Sequence, residues 1–218
     1  MTATAAELIQ HLFDAFRAHT DTLTHPGQDA VAAGLRRPFG APILPTPQSH
    51  PLIDAWLPEA LAAVHPSAKR LADAIEAAAP VLSWITYDLY PRDEIGQFPT
   101  HHAYAKIVGS DSPFPAEDFD AGVFLMVPHT LYRDHNHAAH ELYAPITGPH
   151  GWRFGVDTPF HTKPALEPVW NPPYQPHMTK VGSVPFLCAF VWTKDVAEPA
   201  KVIPAADWAE LEALRLPR

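Results

Sequence analysis

The sequence predicts a mainly β protein: a single β-barrel with an N-terminal α-helical extension. The 26 prolines of this 218-residue chain favour short strands and turns over long helices. Helical periodicity is confined to the two ends of the chain, whereas the stretch from 81 to 200 contains short β-branched and aromatic segments separated by turn signals. We therefore expect the helical extension to span 1–80 and the barrel, with a short C-terminal helix, to span 81–218.

The helical periodicity defines four segments. Apolar residues recur at helical spacing in the first of them, and Thr2 or Thr4 is its expected N-cap. The stretch 25–51 is repeatedly broken by proline and predicts an extended connection along the surface. Pro66 suits the first turn of a later helix. Helices are predicted over residues 4–19, 52–64 and 206–214, and another from Pro66 through the alanine-rich stretch 69–79.

The barrel region begins where the composition changes near Val81. From there, segments rich in β-branched and aromatic residues alternate with turns such as 109–113 and 148–151. Many short strands joined in this way are typical of a sandwich or barrel. Strands are predicted over residues 82–87, 101–108, 122–127, 132–137, 142–146, 152–156, 178–181 and 186–192.

Composition limits the partners of the chain. A net charge of −9 and the lack of a Lys/Arg cluster argue against nucleic acid, and no apolar run approaches the roughly 20 residues of a membrane span. The N-terminus has no signal-peptide pattern, and the single cysteine, Cys188, excludes an intrachain disulfide, so we expect a cytoplasmic protein. Cys188 lies in an apolar run and is interpreted as a buried structural thiol.

The strongest chemical signal is the spacing His-x-His-x3-Glu-x6-Gly, formed by His135, His137, Glu141 and Gly148. Alternate residues of a strand face the same side, so the two histidines direct their imidazoles to one point. Glu141 adds a carboxylate once the strand bends or turns. Two imidazoles and one carboxylate leave coordination positions open, which is typical of a catalytic metal site.

These positions resemble the first metal motif of the cupin family, whose fold is a double-stranded β-helix barrel. The chain departs from the family at His129, where cupins often have glycine. The second cupin motif supplies a histidine from a later strand, and the resemblance assigns it to His177, five residues after Pro172. Tyr174 and Val181 replace the usual glycine and asparagine of that motif. The predicted metal ligands are His135, His137, Glu141 and His177.

The ligand types do not select one metal. Imidazole and carboxylate suit Zn, Fe, Mn, Ni and Co alike, so the expected cofactor is a divalent ion from this group. The crowding of the chain's 14 histidines between His101 and His177 supports metal chemistry. His140 is a further, less favoured ligand.

Two tyrosines bracket the first motif. Tyr143 shares strand parity with Glu141 and is expected to point into the same cavity, while Tyr132 lies three residues before His135. A nearby divalent cation lowers the pKa of a phenol, and the tyrosinate that results is a competent base. Tyr143 is the first choice for a catalytic base and Tyr132 the second.

Tyr132, His137, Glu141, Tyr143 and His177 together resemble the cupin-type dimethylsulfoniopropionate (DMSP) lyases, the group that contains the DddQ and DddL enzymes. The resemblance implies β-elimination of DMSP to dimethyl sulfide and acrylate. It also implies His137, Glu141 and His177 as metal ligands with Tyr143 as a further candidate, which leaves the place of His135 open.

The substrate that this resemblance implies is a small carboxylate with a sulfonium group, and aromatic rings would hold the cation. Alternatives are a metal-dependent oxygenase or isomerase, a lyase of another β-substituted acid, and a non-catalytic ligand-binding cupin. A homodimer through the apolar surface of the helical N-terminus is compatible with the sequence. Six aromatic residues are candidates for the pocket wall: Tyr87, Tyr104, Phe124, Trp170, Phe190 and Trp192.

Overall fold

The computed structural model describes residues 3–216, and its helices lie mostly before the first strand. Helix α1 begins with a capping box, in which Thr4 accepts a hydrogen bond from the Glu7 backbone and Glu7 bonds back to the Thr4 backbone. Thr2, the alternative cap, lies outside the described residues. Short 3₁₀ turns connect several of these elements. The α-helices are α1 (Ala5–Thr20), α2 (Gln28–Leu35), α3 (Pro51–Ala62), α4 (Lys69–Ala78), α5 (Arg92–Ile95) and α6 (Trp208–Ala213).

The strands follow from residue 102 onward, close to the predicted positions. Four of them, β2, β7, β8 and β11, are only two or three residues long and were not predicted, because such short segments carry no period. The strands are β1 (His102–Gly109), β2 (Phe114–Pro115), β3 (Phe119–Met126), β4 (Leu131–Asn136), β5 (His140–Pro145), β6 (His150–Arg153), β7 (His161–Lys163), β8 (Val169–Asn171), β9 (His177–Lys180), β10 (Phe186–Thr193) and β11 (Lys201–Val202).

These strands form two sheets. The large sheet has the order β2-β1-β3-β10-β5-β8, and the small sheet has the order β11-β4-β9-β6-β7. All of the pairings are antiparallel except that of β1 with β2. The predicted fold class is confirmed in its architecture: a mainly β barrel of two sheets follows N-terminal helices. The division of the chain into domains at residue 80 stays a prediction.

The large sheet is buried on both faces. In β5, Leu142 and Ala144 belong to the core that includes the N-terminal helices, whereas Tyr143 belongs to a second core inside the barrel. In β10, Val191 faces the helices and Phe190 faces the barrel interior. Because successive side chains of a strand point to opposite faces, β5 and β10 each contribute to both cores.

Residues 82–87 do not form the predicted first strand. Their ladder contacts are two isolated bridges, one between Gln48 and Ser83 and one between Ile85 and Tyr104. The Tyr87 backbone N–H donates instead to the His102 imidazole at 2.8 Å. The His102 side chain therefore accepts a backbone hydrogen bond that would otherwise go to a neighbouring strand, so residues 82–87 remain irregular.

The prediction for the connection from residue 25 to 51 is also wrong in part, because this stretch contains α2. Pro26 and Pro38 lie outside the helix, so the proline-free stretch between them is free to coil. Val31 and Leu35, four residues apart, are buried against the helical core. The packing of Val31 and Leu35 against the helical core therefore stabilises a helix within a proline-rich stretch.

The C-terminal helix α6 is held against β4 by charged and aromatic side chains. Trp208 Nε1 donates to Asp134 Oδ2 at 2.9 Å, and the Arg133 guanidinium lies 4.6 Å from the indole centroid. Arg153 donates two hydrogen bonds to the fully buried Asp134, at 3.1 and 2.5 Å. Since Asp134 immediately precedes His135, this cluster fixes the strand that carries the first histidine of the motif.

Trp208→Phe tests this cluster. The substitution removes the indole N–H that donates to Asp134 and keeps an aromatic ring beside Arg133. We expect the free energy of unfolding of the metal-free protein to fall by about 1–2 kcal/mol, because a hydrogen bond to a charged, buried acceptor is lost. Urea denaturation measures the change. An unaltered transition midpoint would show that this hydrogen bond contributes nothing to stability.

Within residues 3–216, no helix combines the length and the apolar character that crossing a membrane requires.

Candidate active site

Three buried imidazoles meet between the two sheets. His135 on β4 and His177 on β9 are paired directly across the small sheet, and His137 follows the last residue of β4. One ligand atom from each of the three lies within 4.8 Å of the other two. Each of these residues is at most 2% exposed, so water does not satisfy their ring nitrogens.

The backbone fixes the tautomer of each ring. The Nδ1 atoms of His135, His137 and His177 lie 2.8 Å from the carbonyl oxygens of Arg133, Ala139 and Gln175 respectively. A carbonyl oxygen only accepts, so each Nδ1 must carry the proton. Each ring therefore directs its Nε2 away from the backbone, and Nε2 is the atom through which a ring protonated at Nδ1 binds a metal.

These Nε2 atoms fit a cation. The Nε2 atoms of His135 and His177 are buried and have no hydrogen-bond partner. Glu141 Oε2 lies 3.2 Å from His137 Nε2 and 3.2 Å from His177 Nε2. A carboxylate oxygen facing two nitrogen lone pairs is repulsive unless a proton or a metal ion lies between them, so the donor set suits a divalent metal.

Glu141 is oriented by two side chains of the large sheet. Trp192 Nε1 donates to its Oε1 at 2.6 Å, and Asn171 Nδ2 donates to its Oε2 at 2.8 Å. Both donors come from residues paired with Glu141 on the neighbouring strands β10 and β8. Burial opposes ionisation of Glu141, but His137 and His177 lower its pKa well below the usual value. The site therefore holds a carboxylate.

The four residues predicted as metal ligands are thus all brought together by the fold. Burial, followed by the neighbouring His177 and His137, lowers the pKa of His135 well below its usual value, so this ring keeps its lone pair at neutral pH. His140 instead stacks on Trp170, with 5.6 Å between the ring centroids. The assignment of the four residues as ligands stays a prediction, as does the identity of the metal.

The two predicted tyrosines lie in the same cavity but differ in their contacts. The Tyr132 ring stacks on His135 with 3.8 Å between centroids, and its hydroxyl lies 2.7 Å from that of Tyr90. Tyr143 lies two residues from Glu141 on β5 and lines the cavity with it. Burial, and then the charge of Glu141, raises the pKa of Tyr143 well above its usual value. Without a cation this phenol remains protonated.

A cavity of about 590 Å³ opens from this cluster. Its volume suits a small ligand. Five of the six aromatic residues named as candidate wall residues line it, namely Tyr87, Tyr104, Phe124, Phe190 and Trp192. Trp170 does not, because it packs between His25 and His140 on the side of the helices.

Two contributors were missed from the sequence. Tyr90 precedes the barrel in an irregular segment, and no pattern connects it to Tyr132. Asn171 lies on a three-residue strand in a stretch with the composition of a turn, although a polar residue just before two prolines and six residues before His177 is a usable signal.

Asn171→Ala tests the orienting role of that amide. The substitution removes a donor to the Glu141 carboxylate, and outer partners of this kind typically support metal affinity by about 10–100-fold. We expect metal to be bound more weakly by this factor in competition with a chromophoric chelator. Gln175→Ala is the matched control, because that side-chain amide bonds only to the Pro176 carbonyl at 3.3 Å. Equal affinities in both variants would exclude the role.

The chain is similar in sequence to a known protein family. Residues 28–188, well over half of the chain, match the model of the dimethylsulfoniopropionate lyase family. Dimethylsulfoniopropionate lyase DddQ of Ruegeria pomeroyi is 29% identical over 133 residues, which cover 60% of this chain and 64% of that enzyme. The alignment thus spans less than two thirds of that relative.

Solved structures share the fold. A chain from the crystal structures of the DMSP lyases RdDddP and RnDddQII superposes with a TM-score of 0.73 at 20% identity, covering 92% of this chain and all (100%) of that one. The crystal structure of DddQ from Ruegeria pomeroyi gives a TM-score of 0.68 at 21% identity, covering 92% of this chain and 96% of that one. With the match to the family model, these findings show that the chain belongs to the dimethylsulfoniopropionate lyase family.

Proposed function

We propose that this protein is a metal-dependent lyase that cleaves DMSP by β-elimination into dimethyl sulfide and acrylate. One observation carries the proposal beyond family membership. The cavity that contains Tyr132 and Tyr143 has Glu141 in its wall. Close to that carboxylate lie three clustered imidazoles, and the Nε2 atoms of two of them, His135 and His177, are buried without a hydrogen-bond partner. A cation-binding group and a proton acceptor therefore face one small chamber, as an elimination next to a carboxylate requires.

His135, His137, Glu141 and His177 are the proposed metal ligands. A divalent cation held there would bind the substrate carboxylate, lower the pKa of the Tyr143 phenol and stabilise the negative charge that builds up during proton removal. The fixed Nδ1–carbonyl hydrogen bonds keep the three rings aimed at a common point. The site is thus organised before substrate enters.

The proposed base is Tyr143. Its Oη, as phenolate, accepts the proton from the carbon next to the substrate carboxylate. The electron pair of the broken C–H bond forms the new C=C bond, and the bond from the next carbon to sulfur breaks. Dimethyl sulfide leaves as a neutral molecule, so no general acid is needed. Tyr132 suits this task less well, since its hydroxyl is paired with that of Tyr90.

Headspace gas chromatography tests the activity. Purified protein is stripped of metal, divided, loaded with Zn, Mn, Fe, Ni or Co, and given DMSP without oxygen. We expect dimethyl sulfide and acrylate in equal amounts from at least one metal-loaded sample and none from the stripped protein. Equal release with and without oxygen would distinguish elimination from oxygenation.

If the protein contains bound metal but releases no dimethyl sulfide from DMSP with any of these ions, the proposal that DMSP is the substrate is contradicted. The other β-substituted acids and the isomerase and oxygenase alternatives would then be tested on the same samples.

A further inference from the structure

Asp120 is a part-buried carboxylate in the cavity wall, which the exposed Asp88 and Glu117 also line. In the large sheet Asp120 on β3 pairs with Trp192 on β10, and Trp192 pairs with Glu141 on β5. The three residues form one row across neighbouring strands, and all three line the cavity. With strands about 4.8 Å apart, the backbones of Asp120 and Glu141 are separated by roughly 10 Å. The two carboxylates therefore lie two strands apart in the wall of one chamber.

The charge of Asp120 is incompletely compensated. Its Oδ1 is buried and has no hydrogen-bond partner. Lys106 Nζ lies 3.5 Å from that atom, but this ammonium also donates to Ser110 Oγ at 3.2 Å. Burial raises the pKa of Asp120, and Lys106 offsets only part of this effect. A further cation near this carboxylate would be favourable.

The backbone holds Asp120 in this position. Gly109 adopts φ +143°, a conformation that favours glycine, and a Cβ there would lie 2.1 Å from Asp120 Oδ1. The carboxylate thus packs directly on the strand end opposite it.

The surroundings of Asp120 suit a bulky organic cation. Tyr104 and Phe190 meet edge to face in the cavity wall, with 5.9 Å between centroids. Tyr104 and Asp120 line the same cavity, and burial, followed by the charge of Asp120, raises the pKa of Tyr104 to about 12. Aromatic faces and an adjacent anion together attract a desolvated cation.

We propose that Asp120 is the specificity-determining counter-ion for the cationic end of the substrate. This inference rests on the proposed function, in which the substrate carboxylate lies at the Glu141 end. Three bonds separate the carboxylate carbon of DMSP from its sulfonium sulfur, so the cation would point towards Asp120. The role of this residue is to favour a charged over a neutral β-substituent.

Two non-reacting ligands of the same shape isolate the effect of charge. They are 3-(trimethylammonio)propanoate, which has a cationic nitrogen, and 4,4-dimethylpentanoate, in which carbon replaces that nitrogen. Their dissociation constants are measured by titration calorimetry on the metal-loaded protein. The ratio of the two dissociation constants measures how strongly the site prefers the charged ligand. A change in cavity shape or in the folded fraction affects both constants alike and leaves the ratio unchanged.

In Asp120→Asn we expect the preference for the cationic ligand to fall by about tenfold, with little change for the neutral ligand. In Lys106→Met the preference is expected to rise, because a competing positive charge is removed. Asp118→Asn is the matched control: it removes the same charge two residues away, at an exposed side chain that pairs with Arg37 at 2.7 Å outside the cavity.

An unchanged ratio in both cavity variants, or equal weakening of both ligands in Asp120→Asn, would overturn the inference. These binding constants do not depend on turnover. If the wild-type protein released no dimethyl sulfide but Asp120→Asn still lost its preference, the proposed reaction would fail and the cation site would stand. If the wild-type protein were active but the ratio did not change, the reaction would stand and the cation site would fail.

Discussion

Replacing Tyr143 with phenylalanine is expected to lower kcat for dimethyl sulfide release by about 10³-fold, within the range that a positioned general base contributes. The substitution removes only the hydroxyl oxygen, and the ring keeps its packing against Trp152 and Phe186. Metal content should equal that of the wild type if Tyr143 is a base and not a ligand. Steady-state kinetics and elemental analysis of the same preparation measure both quantities.

Two further tyrosines serve as controls for that result. Tyr174→Phe removes a hydroxyl that donates to Glu198 at 3.0 Å outside the cavity, and it should leave kcat within a few fold of wild type. Tyr132→Phe tests the second candidate base. Normal turnover in Tyr143→Phe together with a large loss in Tyr132→Phe would transfer the role of base to Tyr132.

Glu141→Ala is expected to abolish stoichiometric metal binding. It removes the only carboxylate within contact of His137 and His177 among residues 3–216. Since losing even an outer hydrogen-bond partner weakens metal binding by about 10–100-fold, the loss of a direct ligand should exceed that. Elemental analysis after gel filtration measures the metal retained, and dimethyl sulfide release should fall with it.

Glu117→Gln is the control for Glu141→Ala. Glu117 also lines the cavity, but it is exposed to solvent and its removal should leave metal content unchanged. Circular dichroism would confirm that both variants are folded. Full metal retention in Glu141→Ala would mean that the three imidazoles suffice and that Glu141 has another function.

The barrel was predictable because segments rich in β-branched and aromatic residues alternate with turn signals. The shared strand parity of Tyr143 and Glu141 predicts the inward direction of Tyr143. His135 and His177 were found by spacing and by the cupin resemblance, and the structure pairs them across the small sheet. Local pattern thus predicts the parts of the site that lie on regular strands.

The remaining contributors depend on tertiary structure. Tyr90 reaches Tyr132 from an irregular segment, and Asn171 reaches Glu141 from a three-residue strand. Neither segment has a period of its own, and their partners are more than 25 positions away in the sequence. Helix α2 was missed for a related reason, since its stability derives from burying Val31 and Leu35 against other helices.

The two-sided burial of the large sheet also makes it a scaffold for redesign. In β10, Phe190 and Trp192 line the chamber and Phe186 packs in the core inside the barrel, whereas Leu187 and Val191 anchor the sheet to the helices. Side chains that face the chamber can therefore be substituted at alternate positions without disturbing the packing against the helices. Inserting or deleting one residue would turn the chamber-facing side chains towards the helices and the helix-facing side chains towards the chamber, which would disrupt both faces. Laboratory evolution of substrate range should consequently tolerate substitutions in these strands and reject changes in their length.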